Sequence, residues 1–373
     1  MCGCSARVMA AASCAVCRRA LCAATWQRCG DFSARTRETM NTADHSALRS
    51  FAGREALLVE QAMRGDLDEA LQGCDPLLAE VIDYALFGGG KRIRPLLVIL
   101  AARLCGAADN NLYGLAAAFE YLHVATLIHD DVIDNAQARR GREAVGRRYG
   151  MAVAILAGDW LHARSLYLVG RFAGTEGLAV FCRSTTGMVD GEFLQLRHVA
   201  DCALTEEDYF AIILRKTALL ISSSCEIGAI FAGAAPEERR ALADYGSKLG
   251  TAFQVIDDLL DYQGDAGNTG KQSGNDFLEG KLTLPLLRAL ARAEAPERAG
   301  ITAFFAGDRL DRSSLDRVRQ FIERHGGFDS ARQTAVQLVA EADATLAPFA
   351  GQGEGASLTM LHALAGYVLA RNK

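Results

Sequence analysis

The chain has 373 residues and a formal net charge of −5, with acidic and basic residues interspersed rather than segregated. Because no basic face stands out, the composition gives no sign of a nucleic-acid partner. Half of the residues are hydrophobic and only 6 are proline, which provides ample material for a packed core and favours helices in one large domain or two ordinary ones.

The first 40 residues differ from the rest of the chain. They contain six of the 11 cysteines, and four arginines precede the first acidic residue, Asp31. Two interpretations remain open: an arginine-rich, acid-poor targeting presequence, or a start codon assigned too early, with Met40 as the true start. We favour the second interpretation. We treat residues 1–45 as an extension and expect the folded domain at residues 46–373.

The cysteines do not predict a metal site. Cys14 and Cys17 have the spacing of a ligand pair, but no second pair and no histidine cluster follows at the distance of a zinc site. Single cysteines scattered through the body are typical of reduced thiols in a cytosolic protein. The closest candidate for a membrane span, residues 218–235, is interrupted by three serines and Glu226. We therefore expect a soluble, cytoplasmic protein.

From about Ser46 onward the hydrophobic pattern is helical. Apolar residues recur at three- and four-residue spacing from Leu48 to Val59, as one helix face requires. Asp109 is placed to cap an apolar helix at residues 112–134. Further helices are predicted at residues 152–171, 178–196, 206–231, 237–262, 284–292, 314–325 and 329–346. Glycine-rich joints fall at residues 88–90, 141–150 and 264–280, and no stretch alternates like a strand. The pattern predicts an all-α fold, a single-domain bundle of long antiparallel helices.

Two clusters of aspartates share one spacing. They are Asp130, Asp131 and Asp134, and then Asp257, Asp258 and Asp261. Residues four apart lie on one helix face, where like charges destabilise the helix, and both clusters follow apolar sequence, where a carboxylate is costly without a compensating cation. A single cluster could be a solvated acidic face. Two with the same spacing, over a hundred residues apart, argue against that interpretation.

These clusters offer oxygen ligands, and His129 is the sole imidazole nearby. Such a donor set suits a hard cation. Magnesium typically takes one or two carboxylates and completes its shell with water and substrate phosphates. The clusters therefore predict a phosphate ester held between two helices.

Several basic residues agree with a phosphate ligand. The glycines at 88–90 precede Lys91, Arg92 and Arg94, and such a run can form a nest of backbone amides and charges, although basic surface turns are common. Other cations follow the acid clusters: Arg139, Arg140, Lys216 (followed by Thr217) and Lys271. Arginine binds phosphate as a planar fork and lysine as a point charge. Acids for metal and bases for phosphate together indicate a diphosphate.

The motifs resemble those of the trans-isoprenyl (polyprenyl) diphosphate synthase family, in its long-chain octaprenyl branch. Residues 127–134 (LIHDDVID), followed by Arg139-Arg140-Gly141, resemble the first aspartate-rich motif, and residues 250–262 (GTAFQVIDDLLDY) the second. Residues 88–95 (GGGKRIRP) resemble the isopentenyl diphosphate motif. Residues 270–271 and 279–285 match the segment after the second motif. The resemblance covers residues 46–373 in the right order and implies a helical bundle around a central substrate cavity.

The resemblance also implies a role for each matching position. Asp130, Asp134 and Asp257 would hold Mg²⁺, for which Mn²⁺ can substitute, with Asp131, Asp258 and Asp261 in support. The remaining positions divide between two diphosphates and the reacting centre: Arg139, Lys216 and Lys271 for the allylic diphosphate, Thr217 and Gln254 at the reacting centre, and Lys91, Arg94, His123 and Arg140 for isopentenyl diphosphate. His123 alone would be interpreted as a core histidine, but it lies seven residues before Asp130, as in the family.

The implied activity is a magnesium-dependent prenyl transfer. The enzyme would add isopentenyl diphosphate to an allylic diphosphate in repeated head-to-tail steps, as a homodimer that delivers an all-trans product to the membrane, for quinone side chains. Alternatives are a farnesyl or geranylgeranyl diphosphate synthase, a subunit of a heteromeric synthase, a terpene cyclase, and a helical scaffold. A cyclase needs no isopentenyl diphosphate site, so Lys91, Arg94 and Arg140 argue against it.

Product length should depend on the residues one turn before the first acid cluster. Ala125 and Thr126 occupy these positions, where short-chain members of the family carry an aromatic floor. Residues 191–195 (GEFLQ) also depart from the Gly-Gln-x-x-Asp pattern of short-chain members. A long product is therefore expected, with the floor deeper in the bundle. Leu168 and Val169 are the candidates for it, although both could equally be ordinary core residues.

The amino-terminal extension generates the first prediction. A protein that begins at Met40 should retain the activity and the thermal unfolding midpoint of the full chain, because the cysteine-rich, acid-poor composition of the removed residues sets them apart from the folded domain. Steady-state kinetics and a thermal melt of both proteins measure this. A large loss of either would show that the extension belongs to the fold.

Overall fold

Helices make up nearly all of the residues that the computed structural model describes, which are 42–263, 274–306, 312–351 and 355–371. The first half contains six helices: α1 Thr42–Ala70, α2 Pro76–Leu86, α3 Ile93–Leu104, α4 Asn111–Ile133, α5 Val145–Tyr149 and α6 Met151–Arg197. A short hairpin between α4 and α5 pairs β1 (Ala138–Arg139) with β2 (Arg142–Glu143). The all-α fold predicted from the sequence is confirmed.

The second half continues the bundle. Its helices are α7 Glu206–Ile213, a π-helix Leu214–Ala218, α8 Leu219–Phe231, α9 Pro236–Gln263, α10 Asn275–Leu278, α11 Leu284–Arg292, α12 Ala295–Ala306, α13 Arg312–Arg324, α14 Gly327–Thr345, a 3₁₀ turn Ala347–Phe349 and α15 Ala356–Ala370. No helix among these described residues combines the length and the apolar character that a membrane span needs.

Every helix predicted from the sequence is present, but several helices of the structure were not predicted. Helix α6 spans both predicted segments, with a break at Gly174, whose φ is 64°. Helix α3 lacks a polar face because every residue from Pro95 to Ala102 is buried, so it gives no amphipathic signal. Helices α2, α12 and α15 were also not predicted, and the short helices α5 and α10 lie in segments predicted as glycine-rich joints. The hairpin was not predicted either, because its two-residue strands are too short to alternate.

Helices α4, α6, α8 and α9 form the centre of the bundle. Helix α4 packs along α6, α8 packs against α3, α6 and α9, and α9 is covered on another side by α14. One hydrophobic cluster joins α4 to α2 and α6, and a second joins α9 to α8, α11 and α14. The two predicted aspartate motifs thus lie on two central helices, α4 and α9.

The predicted boundary near residue 45 stays a prediction. The chain divides into two units at Leu48, and only residues 42–47 of the first unit are described. The cysteine-rich segment lies outside the described residues.

Candidate active site

The first acid cluster lies at the carboxyl-terminal end of α4. Asp134 caps the helix, and its backbone N–H donates to the carbonyl of Asp130 at 2.8 Å. The carboxyl-terminal end of a helix carries partial negative charge, so carboxylates there are destabilised by the helix dipole as well as by one another. The cluster therefore favours a nearby cation on three grounds: position, mutual repulsion and burial.

Two carboxylates of this cluster have no salt bridge among the described residues. Burial raises the pKa of Asp130 to about 6; Glu192 and Asp134 act in the same direction, and Lys216 opposes them. Burial also raises the pKa of Asp134, with Lys281 as the main opposing charge. Asp130 and Asp134 are thus the two carboxylates of this cluster left available to an added cation.

Asp131 is buried and committed to the protein. Its Oδ1 accepts from Nε of Arg139 at 2.8 Å and also from Nη2. Arg139 is held there by the hairpin, whose turn is Arg140-Gly141 with φ of 51° and 75°. Two successive positive φ values are typical of a type I′ turn, which matches the twist of the strands. Asp131 therefore anchors the hairpin and, with it, both arginines of the motif.

The second acid cluster lies in the last turns of α9, also at a carboxyl-terminal end. Asp258 is buried and accepts from Tyr209 Oη at 2.6 Å and from Gln254 Nε2 at 2.9 Å. Asp261 accepts from the backbone N–H groups of Asn275 and Asp276 at 3.2 and 3.0 Å. Both carboxylates are committed to hydrogen bonds within the protein, as the supporting role predicted for them requires.

Asp257, the remaining carboxylate of this cluster, forms an ion pair with an arginine side chain. Nη1 of Arg371, at the end of α15, lies 2.7 Å from its Oδ1. The guanidinium of Arg371 also stacks 4.1 Å above the ring centre of Phe253. No sequence pattern predicted Arg371, because its partner lies more than a hundred residues away along the chain.

The π-helix presents two predicted residues to the site. Lys216 Nζ contacts Glu192 Oε2 and donates to Gln195 Oε1, both at 2.6 Å. Thr217 Oγ1 donates to Gln254 Oε1 at 2.9 Å. Single π turns within α-helices often mark functional sites, since they shift consecutive side chains around the axis.

A glycine lets α6 approach this π-helix. A Cβ added at Gly191 would lie 2.7 Å from the backbone nitrogen of Lys216, which is closer than unbonded atoms tolerate. Gly191 therefore permits the contact through which Glu192 and Gln195 both reach Lys216.

A cavity of about 220 Å³ opens beside the second acid cluster. Its polar lining includes Lys216, Thr217, Gln254 and Asp258, together with Asp276 and Lys281 from the segment after α9. Burial disfavours the charge on Lys281, but Asp276 and Glu279 outweigh it and raise the pKa of this lysine. Lys281 and Lys216 also lower the pKa of Asp134 in the first cluster. Because Asp258 of the second cluster lines the cavity with the same two lysines, both acid clusters border these cations.

The sequence analysis did not assign site roles to several of these residues: Glu192, Asp276, Lys281 and Arg371. A signal existed for Lys281, which lies in the segment 279–285 that resembles the family, and for Glu192, which lies in the segment 191–195. Asp276 lies within the predicted glycine-rich joint at residues 264–280 and carried no signal of its own.

A basic pocket lies along α4 about two turns before the first acid cluster, because His123 lies seven residues before Asp130. Arg94, Arg140, Arg139 and Arg92 surround His123, and burial together with these charges holds the pKa of His123 well below its usual value. Arg140 donates from Nη1 to the carbonyl of Gly89. Gly90 has a φ of 144°, which favours glycine, and a Cβ there would also lie 2.9 Å from that Nη1. The structure thus brings together three predicted ligands of isopentenyl diphosphate: Arg94, His123 and Arg140.

Two details make this pocket suited to an anion. Nε of Arg94 is buried and has no hydrogen-bond partner in the described part of the chain, and burial lowers the pKa of this guanidinium. Lys91, the fourth predicted ligand, is exposed and donates to Tyr367 Oη at 3.1 Å. An unpaired buried arginine donor is costly and would be satisfied by a phosphate oxygen.

The remaining predicted residues are less informative. Lys271 lies outside the described residues. Ala125, Leu168 and Val169 are buried in one hydrophobic cluster, and Thr126 Oγ1 donates to the carbonyl of His123 at 2.8 Å. None of these four lines the 220 Å³ cavity, so their role in product length stays a prediction.

The site fits a divalent cation that is completed by a ligand. Among the described residues, no three histidine, cysteine or acidic side chains lie close enough to hold a metal by themselves. Asp130 and Asp134 nevertheless offer oxygen donors without a salt bridge, beside lysines that suit phosphate. This arrangement matches a magnesium ion that takes one or two carboxylates and obtains its other ligands from diphosphate and water.

Known proteins resemble this chain over most of its length. The family model described as polyprenyl synthetase matches residues 75–322. Octaprenyl diphosphate synthase of Escherichia coli is 38% identical over 80% of this chain and 88% of that protein. Nonaprenyl diphosphate synthase of Mycobacterium tuberculosis is 34% identical over 78% of this chain and 85% of that protein.

Solved structures agree with the sequence comparisons. A polyprenyl synthase from Caulobacter crescentus, complexed with calcium and isoprenyl diphosphate, superposes with a TM-score of 0.78 at 36% identity and covers 86% of this chain and 98% of its own. A decaprenyl diphosphate synthase from Rhodobacter capsulatus also gives a TM-score of 0.78, at 35% identity, and covers 88% of this chain and 99% of its own.

The raised pKa of Asp130 predicts how stability depends on pH without metal. A carboxylate whose pKa is raised in the folded protein destabilises it once deprotonated, and the penalty grows as pH rises from about 4 through about 6. Asp130→Asn should therefore raise the free energy of unfolding at pH 7.5 by up to about 3 kcal/mol, with the gain vanishing near pH 4. Urea denaturation in chelator measures this.

The control is Asp68→Asn, which changes an exposed carboxylate and should alter stability little at either pH. A gain from Asp130→Asn that is equal at both pH values would contradict the electrostatic explanation.

Proposed function

The chain belongs to the polyprenyl synthetase family, and we propose that it is a prenyltransferase that condenses isopentenyl diphosphate with an allylic diphosphate in repeated head-to-tail steps. One observation carries the proposal: Lys216 and Lys281 act on Asp134 of the first acid cluster and line a cavity with Asp258 of the second, while a separate basic pocket surrounds His123 further along α4. One diphosphate fits each place. The reaction needs both, since one diphosphate leaves while the other stays attached to the growing chain.

The acid clusters would promote the first step, in which the allylic diphosphate leaves. Asp130, Asp134 and Asp257 would hold Mg²⁺, which supplies positive charge against the leaving group. Lys216 and Lys281 add fixed positive charge to the same place, and Arg139 adds the N–H groups that it does not direct at Asp131. Preorganised charge of this kind costs no reorganisation during the reaction.

Attack by the second substrate follows on the allylic cation. The basic pocket of Arg94, His123 and Arg140 holds isopentenyl diphosphate so that its double bond faces that cation. The product forms when a proton is lost, and the departing diphosphate is the base at hand. Apolar side chains of α4 exclude the water that would otherwise capture the cation.

The product is a long all-trans polyprenyl diphosphate in this proposal. The relatives named above that are called octaprenyl, nonaprenyl and decaprenyl synthases support it, as does the small Ala125 beneath Asp130. The tight packing around Ala125, Leu168 and Val169, each 0–1% exposed, favours a shorter farnesyl or geranylgeranyl product as the second candidate. The quinone side chain as destination stays a prediction.

A homodimer is part of the same proposal. Helix α6, which carries Glu192 and Gln195, also presents large apolar side chains to the surface: Ile155, Leu156, Tyr167, Val189, Phe193 and Leu196. Exposed apolar residues along one element are typical of an interface between proteins. We propose that a second copy of the chain covers this face.

The direct test is incubation with isopentenyl diphosphate, farnesyl diphosphate and Mg²⁺, followed by chromatography of the dephosphorylated products. Products extended by several isoprene units are expected. Excess chelator should abolish turnover, and added Mg²⁺ or Mn²⁺ should restore it. Hydrocarbon formed from farnesyl diphosphate without consumption of isopentenyl diphosphate would indicate a cyclase. Inactivity of the chain by itself would indicate that it is one subunit of a heteromeric synthase. Full turnover in chelator would falsify the metal assignment.

Separate substrate sites predict separate kinetic effects. Lys91→Ala or Arg94→Ala removes a charge-assisted contact worth about 1.5 to 3 kcal/mol, so KM for isopentenyl diphosphate should rise about 10- to 150-fold. Asp130→Ala or Asp257→Ala should instead collapse kcat, because these carboxylates stabilise the leaving group. Steady-state kinetics with each substrate varied in turn measure both effects.

The matched control is Lys248→Ala, which removes a cation paired with Glu341 and should leave both constants unchanged. A rise confined to KM for the allylic primer in the Lys91 and Arg94 variants would show that the two sites are assigned the wrong way round.

Product length gives a geometric prediction. Ala125 lies five residues before Asp130, and a helix turn rises about 5.4 Å, close to the length of one isoprene unit. Ala125→Tyr should therefore shorten the main product, toward farnesyl or geranylgeranyl diphosphate, while the early condensations continue. Leu168→Ala or Val169→Ala should lengthen it if either residue forms the floor.

Product distributions are compared at identical substrate ratios, with Ala125→Gly as the control that adds no bulk. An unchanged long product from a folded, active Ala125→Tyr variant would mean that the tail does not pass this face of α4.

A further inference from the structure

Arg92 lies between two predicted ligands of isopentenyl diphosphate, Lys91 and Arg94, yet its side chain turns into the protein. It is 3% exposed. Nη1 donates to Glu120 Oε1 at 2.5 Å, and Nη2 donates to Glu60 Oε1 at 3.0 Å and to the carbonyl of Leu86 at 2.7 Å. One guanidinium thus ties the start of α3 to α1, α2 and α4.

The backbone of Arg92 adopts the conformation that this inward turn requires. Its φ of 49° lies in the left-handed region, which costs a non-glycine residue about 1–2 kcal/mol. Such conformations persist where the surroundings determine them, and they cluster at functional sites. The left-handed backbone of Arg92 directs its own side chain inward, while the side chain of Arg94 lies in the basic pocket.

Glu120 lies directly beneath that pocket. It is 2% exposed and lies three residues before His123 on α4, so the two share one helix face. Glu120 opposes the loss of charge that burial imposes on Arg94 and Arg140. It is therefore the buried carboxylate that three arginines of this region share.

We propose that Arg92 and Glu120 are positioning residues for the isopentenyl diphosphate site: their buried pair fixes the turn from which Lys91 and Arg94 reach the substrate, and neither touches the substrate itself. The inference rests on the proposed function and deepens it. It separates the basic motif into two residues that bind, Lys91 and Arg94, and one that holds them in place.

A buried ion pair with no functional role behaves differently when both partners are replaced. Removal of both charges by apolar or neutral residues of similar volume is often neutral or stabilising, whereas removal of one leaves an unpaired buried charge. The double variant Arg92→Met/Glu120→Gln keeps the net charge of the region and removes the clamp, together with the negative charge that Glu120 presents to Arg94 and Arg140. A merely structural pair would leave KM unchanged.

The matched control lies at the other end of the same helix. Arg103, in the last turn of α3, pairs with the buried Glu55 at 2.9 Å. The double variant Arg103→Met/Glu55→Gln removes a comparable pair between α3 and α1 that does not adjoin the basic pocket. It should leave both KM values and kcat within about twofold of the unmodified enzyme.

The experiment measures KM for each substrate, kcat, and calorimetric binding of isopentenyl diphosphate, with a thermal melt of each variant. We expect Arg92→Met/Glu120→Gln to raise KM for isopentenyl diphosphate and its Kd at least tenfold, with KM for the allylic primer and kcat within about twofold. Arg92→Lys, which keeps the charge but loses the fork, should give an intermediate rise.

Unchanged KM and Kd in a folded double variant would overturn the proposal, and so would equal rises in KM for both substrates. If the double variant does not fold, Arg92→Lys decides: an unchanged KM for isopentenyl diphosphate overturns the proposal, and a selective rise supports it. Failure of the unmodified enzyme to bind or use isopentenyl diphosphate would contradict the proposed function instead.

Discussion

The structure depends on the placement of carboxylates at the carboxyl-terminal ends of two central helices. Helix dipole, mutual repulsion and burial all oppose their charge there, and the raised pKa of Asp130 reflects that opposition. The neighbouring elements supply the compensation: the hairpin brings Arg139, the π-helix brings Lys216, and the segment after α9 brings Lys281. The charge that remains uncompensated at Asp130 and Asp134 is what a divalent cation would neutralise.

Each acid cluster contains an aspartate that is held by protein donors beside one that we propose binds the metal. The middle aspartate of each is buried and saturated by protein donors, Asp131 by Arg139 and Asp258 by Tyr209 and Gln254. The same hydrogen bonds position the neighbours, because Gln254 also contacts Thr217. A similar division holds in the basic motif, where Arg92 is buried and Arg94 has a free donor. In the first acid cluster and in the basic motif, a residue held by protein contacts therefore lies near residues that we propose bind a ligand.

The sequence was sufficient for most of the long helices and for the spacing of the acid clusters, since both depend on residues within a single helix. It was insufficient for contacts between distant elements. The pairing of Arg371 with Asp257, and of Tyr209 with Asp258, depends on how α15 and α7 pack against α9, and no local pattern encodes that packing. Helix α3 was missed because a helix buried on all sides shows no periodic face.

The central claim is that the metal and the allylic diphosphate bind as one unit, because too few carboxylates converge among the described residues to hold the metal without it. Calorimetric titration of Mg²⁺ into the enzyme, with and without a non-hydrolysable allylic thiolodiphosphate, measures this directly. The account predicts weak binding of Mg²⁺ alone and an increase in affinity of at least about tenfold, or 1.4 kcal/mol, with the analogue present. Equally tight binding of Mg²⁺ in its absence would contradict the account.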